Sequence, residues 1–256
     1  MLTDTHMHLQ SPQFDSDAAA VLARARAAGV GKFICAGYDL PSSRAAVEWA
    51  ARETDILAAV GVHPHDSRLY DDATEAALDG WLESGAAVAA GEMGLDYHYD
   101  NSPRDVQRDV LRRQLRLARR HAVPVVLHNR ASDDDMAAIL DAEARGLCCV
   151  LHAFDGAPIL ADLGSRTGLY FGIGGFLTFR KHRLAGIVRD LPRGALLLET
   201  DAPYLSPHPM RGKRNEPAHV EHVARRLGEL LELDFDAVTK LTALNAERFL
   251  AGEPVS

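Results

Sequence analysis

The sequence predicts an α/β fold, a single (β/α)8 TIM-like barrel over residues 1–256. Three observations carry this reading. Eight short apolar runs alternate with alanine-, leucine- and arginine-rich stretches of helical spacing. The length, 256 residues, is close to the typical requirement of one such barrel (about 250) and leaves no room for a second domain. Histidines and carboxylates fall at the C-terminal ends of the runs, the rim where barrels build their sites.

Taken in order, the first run is Met1–His6, followed by a helical stretch at Asp17–Ala28. Lys32–Ala36 leads into Ser42–Arg52, Ile56–His63 into Ala73–Glu83, and Ala87–Glu92 into Pro103–His121. Pro124–His128 precedes Asp133–Arg145, and Cys148–His152, Leu169–Gly172 and Ala195–Glu199 complete the strands before a closing helix at Pro217–Leu231. Several runs are apolar at every position, as in Val123-Pro124-Val125-Val126-Leu127, which suits strands buried on both faces of a parallel sheet. An open doubly wound sheet has the same alternation, but no GxGxxG follows the first strand. The late Phe171-Gly172-Ile173-Gly174-Gly175 reads as a tight turn with close backbone approach. Asp133, Asp134 and Asp135 resemble a metal cluster, yet they follow Ser132 at a helix start, where carboxylates favour the positive end of the dipole. They read as a solvated first turn.

Composition narrows the function. Acidic residues outnumber basic ones, 36 against 28, for a formal charge of −8. A protein gripping nucleic acid by bulk charge leans the other way, so any such contact must be local. Cys35, Cys148 and Cys149 show no CxxC spacing and read as buried thiols of a reducing compartment. No apolar run approaches the ~18 residues of a membrane span, and no signal-peptide pattern opens the chain, so the cytoplasm is the expected location and a monomer the default.

The chemistry-bearing residues sit at strand ends: His6 and His8 at the first, His63 at the third, Glu92 at the fourth, His128 at the fifth, His152 at the sixth and Asp201 at the eighth. His6 and His8, two apart, project from one face of a strand and can offer two nitrogens to one ion. A lone HxH is weak; its repetition across independent strands, with two carboxylates, is not. The expected metal set is His6, His8, Glu92, His128, His152 and Asp201, enough for two divalent ions bridged by Glu92, with Mg, Mn and Zn all compatible. Glu92 and Asp201 are the expected catalytic pair, Asp201 orienting the attacking water and taking its proton. Glu199 shares the face of Asp201 if the strand continues and is a candidate support behind the ligands. His63 and His65, around Pro64, read either as contacts to a substrate phosphate or as an ordinary surface loop. Arg180-Lys181-His182-Arg183 and Arg211-Gly212-Lys213-Arg214-Asn215 lie near the predicted rim and could neutralise flanking phosphates. Arg130, Tyr204, Arg211 and Asn215 join His63 and His65 as expected substrate contacts, whereas His219 and His222 read as surface residues.

These strings resemble the TatD-like family of metal-dependent deoxyribonucleases, within the amidohydrolase superfamily. The likeness runs through Asp4-Thr5-His6-Met7-His8-Leu9, Gly61-Val62-His63-Pro64-His65, Gly91-Glu92-Met93-Gly94-Leu95-Asp96-Tyr97 and Pro124-Val125-Val126-Leu127-His128-Asn129-Arg130. It continues in His152-Ala153-Phe154-Asp155-Gly156, Glu199-Thr200-Asp201-Ala202-Pro203-Tyr204-Leu205 and Arg211-Gly212-Lys213-Arg214-Asn215-Glu216-Pro217. The resemblance implies a TIM-like barrel, two divalent metals on the same six residues, and DNase activity, often as a 3′→5′ exonuclease. The expected substrate is therefore DNA, single-stranded or frayed at its ends. Gln10, His98 and Asp155 depart from the family pattern, and Asp155 adds negative charge near the mouth.

Two other readings remain at this point. One keeps the metals and changes the bond, to an amide, ester or lactone of a small molecule or to an aminoacyl-tRNA. Many such barrels bridge their ions with a modified lysine on the fourth strand, which here has Glu92 and no lysine. The other is a scaffold that kept the fold and lost the chemistry, which an intact ligand set disfavours.

Overall fold

A computed structural model describes residues 1–255. Eight strands form one sheet: β1 (Leu2–Met7), β2 (Val30–Ala36), β3 (Ile56–Val60), β4 (Ala89–Asp96), β5 (Val125–Arg130), β6 (Cys149–Leu151), β7 (Tyr170–Ile173) and β8 (Leu196–Leu198). Each pairs in parallel with the next in chain order. The seam between β8 and β1 is joined just past the strand ends. A parallel bridge pairs Met7 with Ala202, the Asp201 amide donates to the His6 carbonyl at 2.9 Å, and the His8 amide donates to the Ala202 carbonyl at 2.7 Å. This is the (β/α)8 barrel that the alternating pattern predicts.

The crossovers are α1 (Ala18–Ala27), α2 (Leu40–Arg52), α3 (Asp72–Glu83), α4 (Arg104–His121), α5 (Asp133–Glu143), α6 (Pro158–Thr167), the single turn α7 (Leu184–Ile187) and α8 (Val220–Leu231), followed by α9 (Phe235–Leu250). Their starts follow from capping: Asp39 caps α2 in a reciprocal box with Ser42, and Asp71 and Asp234 accept from the Thr74 and Ala237 amides. Arg119, Arg120 and His121 close α4, opposite the negative end of its dipole.

Two features depart from the sequence reading. β4 runs four residues past Glu92, so Glu92 lies mid-strand and Asp96 shares its face. The unexpected α9 closes the N-terminal end of the barrel. Its Ala246 and Phe249 pack with Ile34, Ala59, Val126, Val150, Tyr170 and Leu197, and Asn245 donates to the carbonyls of Arg193 and Leu196 at 2.8 and 2.9 Å. Among the described residues, no helix is long and apolar enough to cross a membrane. All three cysteines are buried and free, and burial pushes the Cys35 and Cys148 thiols up to about 12.

Candidate metal centre

Successive side chains alternate across a strand, so residues two apart share a face. In β5 this puts His128 one layer above Val126, and beyond β6 it puts His152 above Val150. At the C-terminal mouth these residues line a cavity of about 770 Å³ with His8, Glu92 and Asp201, within the usual range for small-ligand sites. His6 lies directly beneath and is fully buried.

Glu92 is the centre of the arrangement. Its Oε2 lies 3.2 Å from His6 Nε2 and 3.5 Å from His8 Nε2. Its Oε1 lies 2.8 Å from His128 Nδ1, 3.0 Å from His152 Nε2 and 3.5 Å from His63 Nε2. Asp201 Oδ1 stands 3.3 Å from His8 Nε2 and 3.8 Å from His6 Nε2. The residues cluster as His6–His8–Glu92, His63–Glu92–His128 and His6–His152–Asp201, each with donor atoms within 4.8 Å of one another. Asp201 is held with φ at 57°, a left-handed conformation uncommon outside glycine and tolerated by aspartate, of the kind that gathers at functional sites.

The donor chemistry fits a cation. His6 Nε2 and His8 Nε2 face each other at 3.2 Å, as do His128 Nδ1 and His152 Nε2; each pair can share one proton at most, leaving nitrogen lone pairs available to a cation. Burial, aided by His152 and His128 respectively, holds the His6 and His63 imidazoles below their usual range, whereas the carboxylates around His8, His128 and His152 overcome burial and hold those three above it. Burial alone would push the Glu92 carboxyl up, but the imidazoles of His152, His6, His63 and His128 overcome it and hold it well below the usual carboxylate range. These histidine, glutamate and aspartate groups can hold metal.

Charge points the same way. Asp66, Glu92, Asp96, Asp155 and Asp201 line the cavity, and Arg130 is the one lysine or arginine among its lining residues. A mouth with that balance repels anions until cations enter it.

Behind the donors stands a layer that the sequence reading largely passed over. Glu199 is buried, accepts from the Ala153 amide at 2.5 Å and approaches His152 Nδ1 at 3.6 Å. Gly172 makes room for it, since a Cβ there would collide with the Glu199 carboxylate. Asp4 crosses the seam, accepting from the Thr200 amide at 2.9 Å and the Thr200 hydroxyl at 2.6 Å; burial pushes its carboxyl up to about 8 even against those bonds. Asp96 Oδ2 lies 2.9 Å from His65 Nε2 and 3.4 Å from His128 Nε2. Burial opposes its ionisation, yet bonds to His128 and His65 hold the carboxyl below its usual range.

The expected substrate contacts divide. His63, His65, Arg130 and Tyr204 line the cavity, although His63 turns its ring inward to Glu92. Asn215 lies outside the cavity lining and is fully buried, its amide donating to the carbonyls of Thr200 and Tyr204 at 2.8 and 2.6 Å, so it staples the loop after β8. Arg211 lies outside the lining, with its guanidinium over Phe179 at 4.2 Å. Its neighbour Arg214 is tied to Asp17 at 2.8 Å. His219, expected at the surface, is half-buried with Nδ1 2.9 Å from Asn215 Oδ1. In the other basic cluster, Arg183 pairs with Asp155 and offsets its charge, while His182 stacks on Phe176 at 4.5 Å and lines the mouth.

Comparison with known proteins agrees with this geometry. The family described as TatD related DNase matches residues 3–251. The chain is 40% identical over 254 residues to the uncharacterized metal-dependent hydrolase YabD of Bacillus subtilis (strain 168), covering 97% of this chain and 98% of that protein. It is 35% identical over 252 residues to the 3′-5′ ssDNA/RNA exonuclease TatD of Cronobacter sakazakii, covering 96% of each. The crystal structure of YJJV, a TatD homolog from Escherichia coli K12, superposes with a TM-score of 0.91 at 32% identity, covering 97% of both chains.

Proposed function

The chain belongs to the TatD-related DNase family of metal-dependent hydrolases, and from that premise we propose that it hydrolyses phosphodiester bonds of DNA, working from the 3′ end of unpaired strands with two divalent cations. The observation that carries this reading is the division of labour within Glu92: one carboxylate oxygen faces His6 and His8, the other faces His63, His128 and His152. His6, His8 and Asp201 would hold one cation, and the other three histidines the second, with Glu92 between them. This moves His63 from phosphate contact to ligand. When bound, Mg, Mn or Zn supplies the positive charge that an anionic phosphodiester needs and stabilises charge developing on its non-bridging oxygens.

The remaining work falls to the chain. Asp201, at the mouth with one oxygen near His8, is placed to orient the attacking water and accept its proton. Asp96 fixes the His65 and His128 rings, and the buried floor beneath His6 keeps bulk water from one side of the site. Arg130 is placed to neutralise a phosphate flanking the reacting one.

A time course on 5′-labelled single- and double-stranded DNA, with Mg, Mn or Zn added separately, tests the reading. Stepwise shortening of the single strand from its 3′ end is the expected result, with a matched RNA strand reporting the sugar preference. Hydrolysis of a panel of esters and amides, with every oligonucleotide left intact, would overturn it.

A further inference from the structure

Large apolar side chains scattered on a surface need no explanation, but exposed rings gathered at one cavity do. Among the described residues, the large exposed hydrophobic side chains include two aromatic ones, Tyr99 and Tyr204, 54% and 48% exposed. Both line the mouth of the metal-centre cavity. Tyr99 follows β4 and Tyr204 follows β8, four strands away around an eight-stranded barrel, so the rings stand on opposite walls.

Tyr99 is seated with care. The Arg130 guanidinium lies 4.7 Å from its ring centroid, and the rings of His65 and His98 meet it edge-on at 5.4 and 4.7 Å. Asp96 Oδ1 accepts from the His98 and Tyr99 amides at 2.9 and 3.0 Å, while its other oxygen touches His65 and His128. One carboxylate therefore fixes both the ring's loop and a histidine of the metal centre. Arg130 is exposed and, among the described residues, makes no ion pair. A ring backed by an unpaired planar cation suits a ligand that is both flat and anionic.

On the reading that the site cuts phosphodiesters, we propose that Tyr99, backed by Arg130, is a stacking seat for the unpaired nucleobase beside the scissile bond. Stacking is indifferent to base identity and needs a free π-face, which a base inside a duplex lacks. With a net charge of −8, and with Arg183 and Arg214 already paired to carboxylates, grip on the strand comes from this seat and the cations more than from a basic surface. The preference for unpaired ends then has a local cause.

The test compares kcat/KM on a single-stranded oligodeoxynucleotide with that on the same strand carrying tetrahydrofuran abasic residues at its last two 3′ positions. The enzyme should favour the base-bearing strand by about tenfold, chiefly through KM. Tyr99→Ala should bring the ratio close to one, and Tyr99→Phe should restore it. Because the ring is exposed, melting curves should match and exclude misfolding as the cause. If Tyr99→Ala keeps the tenfold ratio, or if the unmodified enzyme shows no ratio, the seat is overturned while phosphodiester cleavage stands. If neither oligonucleotide is cut, the parent reading fails and the seat falls with it.

Discussion

The two ends of the barrel interior are made from the same strands and could hardly differ more. At the floor, Ile34, Ala59, Val126, Val150 and Leu197 pack with Tyr170, Ala246 and Phe249, and α9 closes the end. One layer up, two residues beyond Val126, Val150 and Leu197, stand His128, His152 and Glu199, joined by His6 and Glu92. The step is about 7 Å at the rise of a parallel strand. Below it, burial stabilises the fold through apolar area. Above it, burial raises the cost of every charge and is tolerable only because the groups face one another and a cation can join them. Of the four buried side-chain polar atoms without a hydrogen-bond partner among the described residues, His6 Nδ1, His152 Nδ1 and Glu199 Oε2 stand at the upper level and Thr239 Oγ1 on α9. The barrel thus separates the layer that holds it together from the layer able to hold metal, and each should respond to mutation in its own way.

The largest effect expected is at Glu92. Glu92→Gln keeps shape and removes the charge that five imidazole nitrogens face, so kcat/KM on DNA should fall by roughly 10³-fold or more. Thermal unfolding should shift far less than activity does, because the glutamine amide still fills the niche and can hydrogen-bond to the facing imidazole nitrogens. A collapse of Tm with partial retention of activity would break the separation at its upper level.

Phe249→Ala sharpens it from below. Truncating a fully buried phenylalanine should cost about 3–5 kcal/mol and lower Tm by roughly 10 °C. Since Phe249 touches no site residue, kcat/KM measured well below the transition should stay within about twofold. Calorimetry and initial rates on the same preparation decide it; a large rate loss at low temperature would mean that floor and rim are coupled.

The same division governs what could be read from the sequence. The upper layer was legible because histidine is rare at the end of an apolar run, and eight buried parallel strands send such ends to one rim. Asp96 was missed for a physical reason: the reading stopped β4 at Glu92, and the alternation at 92, 94 and 96 becomes visible only if the strand runs on. His63 was placed in a loop by Pro64, correctly, but a loop position says nothing of which way a ring turns. Asn215 stood among four exposed or half-exposed neighbours and looked like one of them; only tertiary packing shows that its amide turns inward to two carbonyls. The floor was legible as composition and illegible as architecture. Val238, Thr242, Ala246 and Phe249 do lie along one face of α9, yet a last amphipathic helix could cover any side of a barrel. That it plugs the bottom depends on Asn245, Cys148 and Tyr170, whose polar atoms meet carbonyls of Arg193 and Leu196 at the start of β8, of α9 and of the segment beyond it.

Glu199 sits on the boundary itself and should give an effect on activity between those at Glu92 and Phe249. It meets no cavity, yet its carboxylate lies behind His152 and accepts from the backbone that carries Ala153. A carboxylate behind a ligating imidazole fixes the ring's orientation and raises its basicity, and losing it typically costs about 10–100-fold in metal affinity or activity. Glu199→Gln preserves volume in the niche that Gly172 leaves open, so the fold should persist. The half-saturating metal concentration should rise by about 10–100-fold while the rate at saturating metal recovers much of its original value. A loss of rate that no amount of metal restores would place Glu199 among the reacting groups and move the boundary one layer down.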